Sequence, residues 1–172
     1  MTRARAGPLH GGEPVPVYVA AGSNVDPVPH LRQALALLRA SFPSLKASSA
    51  YRNRAVGFSG ADFVNLVVGF PTDRPLAAVL ERLYEVEIIC GRPRAAPQYA
   101  PRTMDLDVLL YGDAVGSFPG ATLPRPDLVR RAYMLGPLAE LAPDLVHPTL
   151  KRRIGELWSA FDRGEELVPV AL

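Results

Sequence analysis

Arg102-Thr103-Met104-Asp105-Leu106-Asp107-Val108-Leu109-Leu110-Tyr111 is the stretch on which the reading of this chain turns. Its apolar second half predicts a strand, and alternation assigns the side chains to faces. Asp105, Asp107, Leu109 and Tyr111 are expected on one face; Met104, Leu106, Val108 and Leu110 form an unbroken apolar set on the other. The first face therefore opens with two carboxylates, roughly 7 Å apart from the rise per residue of a strand. Such a pair repels itself and forms strand poorly, so a cation is expected there. Oxygen-seeking Mg²⁺ ions suit it, since metals about 3.5–4 Å apart share ligands of this kind. A solvated acidic strand end near a turn is the alternative.

Working outward from this strand, the rest of the chain supplies its partners. Val15, Val17 and Val19 alternate with Pro16, Tyr18 and Ala20 in a first strand that ends at Ala21-Gly22-Ser23-Asn24. Asp26 or Asn24 is expected to cap a helix over about 28–42, with Leu31, Leu35, Leu38 and Phe42 at helical spacing. Residues 45–52 read as a second strand and Phe63–Phe70 as a third, in which Phe63, Asn65, Val67 and Gly69 share a face. Pro75 opens a second helix. Its buried stripe is Leu76, Val79, Leu80, Leu83, Val86 and Cys90, and Gly91 ends it. A proline-rich loop, 93–101, leads into the Asp-bearing strand.

Beyond it, 115–123 reads as a hairpin. Leu128–Arg131 and Leu135–Leu141 read as short helical turns divided near Gly136-Pro137, and Ile154–Phe161 as a terminal helix. The order β-α-β-β-α-β predicts an α+β, ferredoxin-like antiparallel sheet with helices packed on one face, plus a C-terminal extension. The expected organisation is a leader at 1–14, one domain at 15–162 and a tail at 163–172.

Composition narrows the function classes. With 172 residues the chain is long enough for one domain with a real core. A net charge of +2 excludes a general polyanion binder. The single cysteine, Cys90, excludes an intrachain disulfide and points to a reducing, cytoplasmic setting. It falls on the apolar stripe of the second helix, as a core residue does. No apolar h-region or bilayer-length run is present. His10, His30 and His147 are scattered without metal-ligand spacing, and Trp158 is expected to pack on the sheet.

Cationic residues bracket the acidic strand. No acidic residue lies between Ile88 and Met104, where Arg92, Arg94 and Arg102 cluster, and Arg130 and Arg131 follow later. Guanidinium forks match phosphate oxygens, and paired carboxylates plus arginines suit phosphoryl transfer. Neither a Walker loop nor a Rossmann glycine fingerprint occurs, so a nucleotide would be held by metal and arginines.

These segments resemble the 6-hydroxymethyl-7,8-dihydropterin pyrophosphokinases of folate biosynthesis. The resemblance rests on Tyr18–Asn24, Asp62-Phe63-Val64-Asn65, Glu87 with Gly91-Arg92-Pro93-Arg94, and Pro101-Arg102-Thr103-Met104-Asp105-Leu106-Asp107. Arg131–Leu135 and Pro137–Pro143 continue the match in order, so that it spans roughly 15–160. It implies transfer of the β,γ-pyrophosphoryl group of ATP to the pterin hydroxymethyl, with AMP released.

Asp105 and Asp107 would then hold two Mg²⁺ ions, and Arg92 and Arg102 would act on the triphosphate as catalytic residues. Glu87, Arg94, Arg125 and Arg131 complete the implied nucleotide side. Val56, Gly57, Phe63, Asn65 and Tyr133 would form the pterin pocket. ATP and the pterin are the implied partners, rather than nucleic acid or membrane, with the chain a monomer or a dimer.

Three positions depart from the family pattern: Arg125 stands where a histidine is usual, Tyr133 where phenylalanine is common, and Tyr99 where tryptophan is frequent. Nucleotidyl or glycosyl transfer, which also uses Asp-x-Asp with Mg²⁺, is a second reading. A ferredoxin-like RNA-binding module is a third, opposed by acidic residues on the strand that would meet phosphate.

Overall fold

The structure, a computed structural model, describes residues 12–55, 60–92, 103–162, 164 and 166–172. The first strand, β1 (Val15–Ser23), is central. It pairs antiparallel with β4 (Phe63–Thr72) on one side and with β5 (Asp105–Tyr111) on the other. Beyond β4 lie the short strands β2 (Lys46–Ala47) and β3 (Ala50–Asn53), so the expected single strand over 45–52 is broken in two. Ser48 lies at the break, and its hydroxyl accepts the Val67 N–H at 2.9 Å. The sheet order β5-β1-β4-β3 is that of a ferredoxin-like fold.

Two helices cover one face as predicted: α1 (Pro27–Ser41) and α2 (Leu76–Ile89). Leu31, Leu35, Leu38 and Phe42 from the α1 stripe meet Val79, Leu83, Val86 and Cys90 of α2 over Val17, Val19, Leu66 and Val68. Phe42 stacks on Phe70 with ring centroids 3.9 Å apart. Asp26 occupies the N-cap of α1 in a left-handed conformation and makes no side-chain cap bond. The His30 ring instead meets the Val25 carbonyl at 2.6 Å. Gly91, at φ +94°, ends α2 in a conformation that a side chain would strain.

The opposite face is covered by the C-terminal extension. First a hairpin, β6 (Gly116–Phe118) and β7 (Ala121–Leu123), packs on the α1–α2 side, and a 3-10 turn at Pro126–Val129 then crosses over. Then come α3 (Ala132–Leu141) and α4 (Ile154–Ser159). Gly136-Pro137 does not divide two turns; both residues lie inside α3. Trp158 packs against the cluster that joins α3 to this face of the sheet, and a Cβ on Gly136 would sit 2.9 Å from its Cη2.

His147 is buried, and its Nδ1 accepts the Thr149 and Leu150 N–H groups, a turn-forming role. The stretch expected as a tail, 163–172, contains β8 (Val168–Val170), which pairs with the edge of β3.

Alternation fails at one place in β5. Tyr18 faces Leu110 but Val19 faces Val108, so Leu109 is an extra residue. Such a bulge reverses the facing of everything after it. Leu109 and Leu110 both enter the core under α3, and Tyr111 turns to the α1–α2 side. There its hydroxyl donates to the Arg74 carbonyl at 2.7 Å. Asp105 and Asp107 precede the bulge and keep their common face.

Candidate active site

Strand register assembles the site. Asp105 lies opposite Gly22, Gly22 opposite Asn65, and Asn65 opposite Tyr51. Directly opposed residues share a face, so these four form one row across β5, β1, β4 and β3. Asp107, Ala20 and Val67 form the adjacent row. Two inter-strand steps separate Asp105 from Asn65, about 10 Å. The row lies at the end of the sheet where β1 and β3 finish and β4 and β5 begin. The β3–β4 and α2–β5 connections join at this same end.

The middle of the row, Gly22, has no side chain. A Cβ on Gly22 would overlap the Asn65 Oδ1 and approach Phe63 Cδ1 to 3.7 Å. The Asn65 amide can therefore lie against β1. Asn65 Nδ2 donates to Asn53 Oδ1 at 2.5 Å, and Asn53 Nδ2 donates to the Arg54 carbonyl at 3.0 Å. Both asparagines are buried. This chain of bonds fixes one amide plane. Phe63 is half-buried beside it at the start of β4.

Gly22 and Asn53 were not anticipated as site residues. A glycine inside an apolar strand was the available signal for Gly22, because it marks close approach of another group. For Asn53 the signal lies only in the pairing of β3 with β4, which local patterning does not reveal.

The carboxylates have cations at hand. Arg92, just beyond α2, pairs through Nη1 with Glu87 and, at 3.2 Å, with Asp105 Oδ1. Glu87 is buried, so its carboxylate is turned toward Arg92. Arg125 Nη1 lies 3.5 Å from Asp107 Oδ1. The Arg125 main-chain N–H donates to the carbonyl of the bulged Leu109 at 3.0 Å, so the bulge anchors this arginine beside Asp107.

Even with these partners the Asp107 carboxyl is pushed up to about 6. Desolvation by burial is the largest cause, followed by the charge of Asp105; Arg125 and Arg92 pull it back only in part.

Two oxygen donors on one face, partly open to solvent and short of positive charge, fit a hard divalent cation. Among the described residues no three His, Cys, Asp or Glu side chains converge as a metal cage. A cation here would complete its coordination with phosphate oxygens and water, the usual arrangement for Mg²⁺ at nucleotide sites.

Tyr133 and Arg131 sit at the start of α3, on the extension covering this face. Val56, Gly57, Arg94 and Arg102 lie outside the described residues. Cys90 is buried in the helix-side core, and burial raises its thiol pKa. No helix among the described residues is long and apolar enough to cross a membrane.

The chain is similar to known proteins in both sequence and fold. Residues 18–143 match the family described as 7,8-dihydro-6-hydroxymethylpterin-pyrophosphokinase. A Synechocystis protein named 2-amino-4-hydroxy-6-hydroxymethyldihydropteridine pyrophosphokinase is 35% identical over 147 residues, covering 84% of this chain and 75% of its own. The Pseudomonas aeruginosa protein of the same name is 37% identical over 148 residues, covering 84% and 90%.

Among solved structures, Plasmodium falciparum HPPK-DHPS with pterin and p-hydroxybenzoate superposes with a TM-score of 0.63 at 12% identity. It matches 88% of this chain but 44% of its own length, so this chain spans less than half of that protein. At such identity the likeness establishes the fold alone.

Proposed function

Because the chain belongs to the 7,8-dihydro-6-hydroxymethylpterin-pyrophosphokinase family, we propose a division of labour among its residues for that reaction. The enzyme is a diphosphokinase that transfers the pyrophosphoryl group of ATP to 6-hydroxymethyl-7,8-dihydropterin in folate biosynthesis. The hydroxymethyl oxygen attacks the β-phosphorus, the bridging bond to the α-phosphate breaks, and AMP leaves while the hydroxyl proton is released.

Asn65, held in orientation by Asn53, reads the hydrogen-bonding edge of the pterin, where an amide offers donor and acceptor together. Phe63 and Tyr133 hold the flat ring by stacking. Val56 and Gly57 belong to the same pocket through the β3–β4 connection.

On the other side of Gly22, Asp105 and Asp107 would hold two Mg²⁺ ions, which with ATP bound would offset phosphate charge and align the β-phosphorus. Arg92 and Arg102 bind the oxygens on which charge grows toward AMP. Arg94, Arg125 and Arg131 hold the rest of the nucleotide. Glu87 orients Arg92 rather than touching ATP itself, as its burial and ion pair suggest. The lone buried cysteine supports a cytoplasmic setting.

The observation that carries this reading is the single row Asp105–Gly22–Asn65, which puts a cation-seeking pair and a fixed amide about 10 Å apart across a bare glycine. Asp105→Asn should cut turnover at least about 100-fold, the loss typical of a group that stabilises transition-state charge. Pterin binding, followed by its fluorescence, should stay within about twofold. Turnover near that of the parent enzyme would refute the metal-binding role.

A further inference from the structure

The two arginines beside the carboxylates are not equivalent. Arg92 is held from two sides: its guanidinium pairs with the buried Glu87 as well as Asp105, and its main-chain N–H donates to the Glu87 carbonyl at 3.0 Å. Arg125 has a fixed backbone but a loosely held head. Its Nη1 stands 3.5 Å from Asp107 Oδ1, beyond ordinary hydrogen-bond length. Its Nε is buried and, among the described residues, has no hydrogen-bond partner. A buried donor without an acceptor is costly, so this guanidinium is poised to improve its contacts elsewhere.

From this asymmetry we propose that Arg125 is a displaceable counter-cation: it occupies the cation position at Asp107 until a divalent metal takes it, whereas Arg92 stays in place. The inference deepens the reading of Asp107 as a metal ligand and rests on it. Because the Arg125 main chain is fixed to Leu109, exchange requires only side-chain rotation. A guanidinium that leaves Asp107 carries its unused donors to nearby anionic oxygen, and the arriving phosphates of ATP supply it. One side chain thus lowers affinity for free metal and raises affinity for metal brought with nucleotide. Asp107 would not be left uncompensated in either state. The device favours entry of metal and ATP together over metal alone.

The test measures Mn²⁺ binding to the full chain without nucleotide, from the electron paramagnetic resonance signal of free Mn²⁺. Arg125→Met removes the charge and keeps much of the length. It should bind Mn²⁺ about tenfold more tightly than the parent, the size expected for deleting a unit charge a few ångströms away in a solvent-rich site. Arg125→Lys, which keeps a charge, should stay near the parent. Should Arg125→Met not fold, Arg125→Gln serves in the same assay.

Unchanged or weaker Mn²⁺ binding in the neutral variants would overturn the proposal. Asp107→Asn should reduce Mn²⁺ binding; if it does not, Asp107 is no metal ligand and the underlying reading fails separately. In a second arm, affinity for a non-hydrolysable ATP analogue with Mg²⁺ should fall several-fold in Arg125→Met. An unchanged affinity there would refute the phosphate contact while leaving the counter-cation role supported by the Mn²⁺ result.

Discussion

Replacing Asp107 with asparagine should make the metal-free protein more stable while disabling it. The Asp107 carboxyl is raised from 3.8 to about 6 by desolvation and by Asp105, against the pull of Arg125 and Arg92. Moving a carboxyl that far corresponds to about 3 kcal/mol of opposition to its ionisation. Its side chain is 27% exposed, so water relieves part of this, and Arg125 loses a partner in the variant. A net gain of about 1–2 kcal/mol is the reasonable expectation. For a domain of this size that is a rise of about 3–6 °C in melting temperature.

The sign follows from linkage. An acid whose folded pKa lies above its unfolded value binds protons more tightly when folded, so the parent protein loses stability as pH rises from about 4 to 6. The advantage of Asp107→Asn should be small at pH 4 and full above pH 7. Thermal unfolding in EDTA across this range, by circular dichroism, provides the assay. A variant that melts at or below the parent temperature at pH 7.5 would refute the electrostatic picture of the site.

Further outcomes follow from the same geometry. Binding of Mn²⁺ should weaken as pH falls through about 6, because metal must displace the proton on Asp107; a flat profile between pH 5 and 7.5 would argue against Asp107 as a ligand. Gly22→Ala should raise the Michaelis constant for the pterin at least about tenfold, since its methyl overlaps Asn65 Oδ1 and an off-position amide loses about 1–2 kcal/mol of hydrogen bonding. The ATP constant should change far less, and equal effects on both substrates would contradict the division of the row. Phe70→Ala, which removes the stack on Phe42, should cost about 3–5 kcal/mol in denaturant unfolding.

The parts legible from sequence were those governed by local periodicity. The α1 and α2 stripes and the faces of β1 and β4 follow from 3.6- and 2-residue repeats, and each is found where expected. Asp105 and Asp107 were readable for the same reason, lying in a regular segment whose acidic side chains have no business in a strand without a partner. The bulge at Leu109 was not readable, because it depends on how β1 registers against β5. Leu110 and Tyr111 consequently face opposite to what alternation predicts.

Gly136-Pro137 was read as a break although α3 runs through it. Pro137 lies inside the helix and gives up one intrahelical N–H bond, and packing carries α3 through it: Pro137 and Leu138 are buried and Gly136 makes room for Trp158. Strand β8 was hidden because three residues carry little pattern; it exists because β3 offers an edge to pair with. Within the site, the residues missed were those defined by a neighbour in space: Gly22 by Asn65, Asn53 by the same amide, and the fixed main chain of Arg125 by Leu109.

The most direct test of the whole account is to follow the nucleotide. With Mg²⁺, 6-hydroxymethyl-7,8-dihydropterin and ATP labelled at the β-phosphate, the label should move to the pterin as AMP accumulates in equal amount, and Asp107→Asn should abolish that transfer. Formation of ADP, release of labelled pyrophosphate without a pterin product, or transfer that survives in Asp107→Asn would contradict it.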